Sequence, residues 1–220
     1  MEDIAALTAE EVLHARETFY IGGQYLTDED GNHSMHGQMY VEHLQPRPGQ
    51  KTKPFPVLFI HGGTRTGQDW ITKPDGDPGW ASYFLSQGYE VYVVDLPFRG
   101  RSPWLPGAEK VVAYPAEQIQ KMFTGCSKYR LWPQAELHTQ WPGNGVMGDT
   151  IFDRFYASGV QMIADPTVQE AASQAACTAL VDAIDRPIIA VGHSAGGPIL
   201  WYAWALPGPR VPRVPAKWVG

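Results

Sequence analysis

Two stretches rich in aromatic and branched side chains, TFYIGGQYL (18–26) and MYVEHL (39–44), flank the turn-forming TDEDGNHS (27–34). That arrangement predicts two strands joined by a hairpin loop. The pattern then changes. FPVLFI (55–60), EVYVVDL (90–96) and PIIAVG (187–192) are almost continuously apolar, as in strands covered on both faces of a parallel sheet. GWASYFLSQGY (79–89) reads as a short helix closing near Gly88, and TVQEAASQAACTALVDAID (167–185) carries a strong helical period. Strand, helix, strand in this order is a βαβ unit, so the chain is expected to form an α/β domain with a mostly parallel sheet flanked by helices.

Between the second and third apolar runs the pattern breaks down. Residues 97–166 show no clear period and are dense in Pro, Gly and aromatics, among them Trp104, Trp132, Trp141, Phe152, Phe155 and Tyr156. A long insertion of this kind in one domain is expected to be a cover or lid rather than a passive loop. The opening MEDIAALTAEEVLHAR reads as an amphipathic helix, acidic near Met1 and without the basic start and apolar core of an export signal. No window is apolar for long enough to span a bilayer, and the cytoplasm is the expected compartment.

Composition narrows the class of partner. Hydrophobic residues at 44% and charged residues at 18% fit a globular chain and argue against disorder. With 17 basic and 23 acidic residues the formal charge is −6, and no basic block tracks phosphates, so nucleic acid is not an expected partner. The length fits a single domain over residues 1–220. Cys126 and Cys177 are read as free thiols. His33 and His36, three apart in or beside the hairpin loop, are read as a solvated turn, because no carboxylate or cysteine recurs at ligand spacing; no metal is expected.

The chemistry concentrates in PIIAVGHSAGGPIL (187–200). Gly192, Ser194 and Gly196 form a G-x-S-x-G pattern with an apolar strand before it and a helix-like run after it. In such a strand-to-helix elbow small neighbours let the serine hydroxyl stand clear at the sheet's carboxyl edge. After the first apolar run comes HGGTRTG (61–67), a glycine turn able to aim amides at a developing oxyanion. Gly63 would supply one donor and Ala195 the other. FIHGGTRTGQDW, VYVVDLPFRGRS and VGHSAGG, in this order and spacing, resemble the α/β-hydrolase superfamily over residues 18–200. LWPQAELHTQWPG (131–143) is similar to a subgroup of bacterial and fungal esterase-like or lipase-like members. The resemblance implies an α/β-hydrolase fold and a serine hydrolase of carboxylic esters working through a Ser194 acyl-enzyme. It implies Gly63 and Ala195 at the oxyanion hole and residues 97–166 over the site. The partner is then a small-molecule ester or acyl substrate, with no cofactor. Asp95 matches the family's structural aspartate, not its catalytic acid; His61 and His193 match positions that shape loops.

Nucleophilic serine catalysis also needs a base and an acid to orient it, which in this superfamily follow the nucleophile. The residues after Ser194, AGGPILWYAWALPGPRVPRVPAKWVG, contain no Asp, Glu or His. All 7 histidines, His14, His33, His36, His43, His61, His138 and His193, precede it, so no triad acid or histidine is found in this chain, and His138 is the one considered as a substitute base. A family sheet continues past the elbow, so roughly a hundred further residues are expected at about 30 per βαβ unit. The fold is therefore expected to be incomplete at its C-terminal side, with strand 187–192 at an edge. The tail, broken by Pro207, Pro209, Pro212 and Pro215, cannot supply the next strand, and truncation by an early stop, altered splicing or a shifted frame is the expectation. Two functional expectations follow: an ester hydrolase by family, or an inactive remnant that binds a ligand or self-associates through an exposed sheet edge. GNGVMG (143–148) matches a dinucleotide fingerprint in spelling, but it follows HTQWP where a strand is required, and is read as a loop.

Overall fold

The structure, a computed structural model, describes residues 11–105 and 109–205. The predicted hairpin is present and longer than its apolar centres. β1 (His14–Thr27) and β2 (His33–Pro46) pair antiparallel, with Tyr20 opposite Tyr40 and Thr27 opposite His33. Residues 1–10 of the expected amino-terminal helix lie outside the described residues, but His14, Ala15 and Arg16 are strand, paired with Pro46, Gln45 and Leu44. An amphipathic period is a weak preference, and ladder hydrogen bonds to β2 override it. His33 and His36 likewise belong to β2 and not to the loop, their rings set against Tyr25 and Phe98. The turn itself is closed by Asp28, whose carboxylate accepts from the Asp30 and Asn32 amides.

β3 (Val57–Ile60), α1 (Gln68–Ile71), α2 (Trp80–Ser86) and β4 (Val91–Asp95) follow as the expected βαβ unit. Residues 97–166, read as lacking a period, contain short elements too brief to show one. β5 (Val111–Val112) pairs antiparallel with β6 (Met162–Ile163) at the base of the segment. Between them lie α3 (Ala116–Ile119), a π-helical turn (Gln120–Thr124), α4 (Cys126–Tyr129), a 3-10 turn (Pro133–Leu137) and α5 (Thr150–Ala157). Ala116, Ile119 and Phe152 form their core, with Tyr114, Trp141 and Phe155 packed against it. α6 (Pro166–Ile184) then leads to β7 (Ile189–Gly192) and α7 (Gly196–Ala205). The proline-rich tail lies outside the described residues.

The sheet order is β1-β2-β4-β3-β7, with β4, β3 and β7 mutually parallel and the hairpin added antiparallel through β2. This is an α/β-hydrolase type of fold, a mixed central sheet flanked by helices. Both faces of its centre are buried, which explains the unbroken apolar runs. Leu58, Ile60, Tyr92 and Val94 pack under Ala176, Cys177 and Leu180 of α6, while Val57, Phe59, Val91 and Val93 pack on Ala81 and Leu85 of α2. β7 is the outermost strand on its side among the described residues, and Ile189 keeps 37% of its surface exposed.

Candidate active site

Ser194 sits where β7 ends and α7 begins, in the left-handed region at φ 51°. A non-glycine residue there carries local strain. The flanking glycines are forced by close approach. A Cβ on Gly196 would fall 2.7 Å from the His61 carbonyl oxygen and 2.8 Å from that of Ile60, and one on Gly192 would fall 2.6 Å from the Gly196 carbonyl oxygen. Only glycine fits either position. The His193 amide donates to the Ile60 carbonyl at 3.0 Å, tying the elbow to the end of β3. The Ser194 side chain is exposed, and its Oγ makes no hydrogen bond among the described residues.

The loop after β3 lies directly against it. A Cβ on Gly62 would meet His193 Nδ1 at 3.0 Å and Ser194 Cβ at 3.3 Å, and one on Gly63 would meet Ala195 Cβ at 3.9 Å. The structure thus brings Gly63, Ser194 and Ala195 together, and among the described residues neither the Gly63 nor the Ala195 amide is engaged in a hydrogen bond. Behind the loop the polar groups are buried and paired. His61 Nε2 accepts from the Leu96 amide at 3.0 Å, so its proton lies on Nδ1, which donates to the Gly62 carbonyl at 2.9 Å. Burial, and then the charge of Arg99, hold the His61 pKa down to about 4, and it is neutral at ordinary pH. Arg99 Nη1 donates to the same carbonyl at 2.8 Å. Asp95 is buried and accepts from the Gly67 amide at 2.7 Å and from the Arg101 amide and Nε at 2.8 Å each. Burial alone would raise its pKa; the hydrogen bonds and charge of Arg101 outweigh that and lower it. With every oxygen engaged in holding loops, Asp95 occupies a structural place.

A cavity of about 390 Å³ opens above Ser194 and is shared by Gly62, Gly63, His193 and, from the 97–166 segment, Tyr114, Ile119, Phe123, Phe155 and Val160. Its size lies at the lower end of small-molecule sites. Arg65, which the sequence reading passed over, clasps that segment to the glycine loop. Its Nε and Nη2 reach Asp69 at 2.7 and 2.5 Å, Nη2 reaches Ser158 Oγ at 2.7 Å, Nη1 donates to the Phe155 carbonyl at 2.9 Å, and the guanidinium lies 4.1 Å from the Phe155 ring centre. The Val160 amide adds a bond to the Thr64 carbonyl at 2.9 Å. An arginine just past a glycine turn was the available signal, but its partners come from a distant segment.

His138 follows the 3-10 turn, is exposed, and does not line this cavity. Among the described residues no histidine nitrogen hydrogen-bonds Ser194, and no group of three His, Cys, Asp or Glu is arranged for a metal. GNGVMG is a loop before α5, folded around Asp149, which accepts from the Ile151 amide at 2.8 Å and caps the helix. Cys126 and Cys177 are separate buried thiols.

Residues 57–216 match the model of the alpha/beta hydrolase family. Over 183 residues the chain is 45% identical to a protein of Fungal sp. (strain ATCC 74256) called probable secreted lipase phiG, covering 83% of this chain and 47% of that one. The chain therefore spans about half the length of the curated relative it matches. A solved structure described as a novel bacterial esterase superposes with a TM-score of 0.66 at 23% identity, covering 90% of this chain and 65% of that one, a likeness of fold. The fungal relative is called secreted, whereas the acidic amino terminus suggested the cytoplasm; among the described residues no helix is long and apolar enough to cross a membrane. The family model covers most of the chain and the fungal relative is close in sequence, and the chain belongs to the alpha/beta hydrolase family.

Proposed function

We propose that this chain carries the nucleophile and oxyanion side of a carboxylic-ester hydrolase. Ser194 Oγ attacks the ester carbonyl carbon, the carbonyl oxygen takes the negative charge between the Gly63 and Ala195 amides, and the alcohol leaves as the acyl-enzyme forms; water then releases the acid. Residues 97–166 act as the cover, and their apolar side chains hold the acyl or alcohol group. One observation carries this reading: an exposed serine in a left-handed turn shares a cavity with a glycine amide that, among the described residues, makes no hydrogen bond. The fungal relative's description as a probable lipase supports an ester substrate. A small-molecule ester is accordingly the proposed partner.

A second reading has its own support. The serine proton needs an acceptor, and no imidazole reaches Ser194 among the described residues. On that reading the chain is inactive and at most binds an acyl-like ligand or associates through the outer edge of β7. Both readings meet in one experiment, in which the purified chain and Ser194→Ala are treated with a fluorophosphonate probe and an activated short ester. Labelling that disappears in the variant, with turnover about a thousandfold above background or less, is expected, since an oxyanion hole and binding alone retain that order of catalysis. Equal labelling of both proteins would falsify the serine assignment, and labelling without turnover would favour the inactive reading.

A further inference from the structure

We propose that Arg99 is a positioning residue for the oxyanion donor: its guanidinium, bonded to the Gly62 carbonyl, locks and polarises the Gly62–Gly63 peptide so that the Gly63 N–H faces the Ser194 cavity as a strengthened donor. Arg99 is 2% exposed, forms no ion pair among the described residues, and its Nε there has no hydrogen-bond partner. A buried cation without a counter-charge is strongly disfavoured, so its presence requires a compensating interaction. The interaction present is with a carbonyl oxygen, at 2.8 Å. His61 Nδ1 brings a second donor to the same atom at 2.9 Å.

The geometry of the peptide carries the effect across to the cavity. All the described peptide bonds are trans, and in a trans peptide the C=O and the following N–H point in opposite directions. With the Gly62 oxygen held inward by two buried donors, the Gly63 N–H is turned outward, toward the cavity that Gly63 lines and the Ala195 side chain it abuts. A charged donor on the oxygen draws electron density along the peptide, and linked hydrogen bonds polarise one another most where water is excluded. Arginine suits the place because it keeps its charge when buried: desolvation brings the Arg99 pKa only down to about 10. The oxyanion role of that N–H rests on the proposed function; the polarisation of the peptide does not.

The test uses the full chain labelled with [13C′,15N]glycine, in which carbonyl-to-nitrogen transfer selects the Gly–Gly pairs 22–23, 62–63 and 196–197. Gly63→Ala assigns the middle pair. Expected in the parent are a Gly62 carbonyl carbon and a Gly63 amide downfield of their positions in Arg99→Met, with pair 22–23 unmoved. A 62–63 signal that stays in place overturns the proposal. Should Arg99→Met not fold, Arg99→Gln, which keeps a neutral donor and loses the charge, carries the same comparison. In a second arm, the rate constant for fluorophosphonate labelling of Ser194 is expected to fall about tenfold in Arg99→Met and to recover partly in Arg99→Lys, with probe affinity unchanged. An unchanged rate constant overturns the positioning role. If the parent labels no better than Ser194→Ala, the ester-hydrolase reading fails, while the glycine signals still decide on the peptide.

Discussion

The turn after β3 is pinned from within the fold, whereas the turn after β7 is held by close backbone packing at an outer strand. His61, Asp95 and Arg99 are each almost wholly buried behind the first turn and fix it through side-chain hydrogen bonds. Behind the second turn no such support is found among the described residues: Ser194 is exposed, and the turn depends on Gly192 and Gly196 letting backbone meet backbone. The amide half of the site is thus expected to keep its shape by buried polar pairing, and the serine half by steric fit. The first should respond to protons, the second to methyl groups.

The largest expected difference is the response to acid. His61 has a pKa of about 4 in the folded chain, lowered from 6.5, so between those values the unfolded chain binds the extra proton. Stability therefore rises with pH across this window; the contribution is complete above the unfolded value and is lost as pH falls toward 4. The unfolding free energies of the parent and His61→Gln, from urea titrations, should draw closer by about 3 kcal/mol from neutral pH down through the window. Parallel curves for the two proteins would show that His61 is not held neutral and buried.

Next in size is a methyl group on the elbow. Gly196→Ala is expected to cost about 2 kcal/mol, because two backbone carbonyls stand in its way and cannot move without the ends of β3. Its neighbour is the control: a Cβ on Gly197 meets nothing within 4 Å, and Gly197→Ala in α7 should be neutral or add about 0.5 kcal/mol. Equal losses at the two positions in chemical denaturation would refute the steric account. The third effect is a gain. Ser194→Gly removes a side chain from a left-handed residue and should raise stability by about 1 kcal/mol, seen as a higher melting temperature together with loss of probe labelling; a lower melting temperature would mean that the turn is unstrained.

Much of this frame was legible beforehand. FPVLFI, EVYVVDL and PIIAVG became β3, β4 and β7, and GHSAG spans the turn from β7 into α7. The amino-terminal stretch misled: its amphipathic period suggested a helix where His14–Arg16 pair as strand, because a partner in β2 decides the matter and a local window contains no partner. The 97–166 segment gave no period because its helices run for only one or two turns, below the length at which a repeat shows. Arg65 and Arg99 were missed for a related reason. Each sits in a readable motif, yet the Phe155 carbonyl that Arg65 binds is 90 residues away and the Gly62 carbonyl that Arg99 binds is 37 residues away.

Apolar periodicity and glycine spacing act over a few residues, so the amino-acid order alone was enough to determine an α/β chain with a serine at a strand-to-helix bend. Which groups stand behind the Gly62 carbonyl, and which side chains close the cavity over Ser194, was decided only when β3 came to lie between β4 and β7. Sheet order brings the ends of distant segments within hydrogen-bond range, and burial there gives an arginine or a histidine a strength it lacks in water.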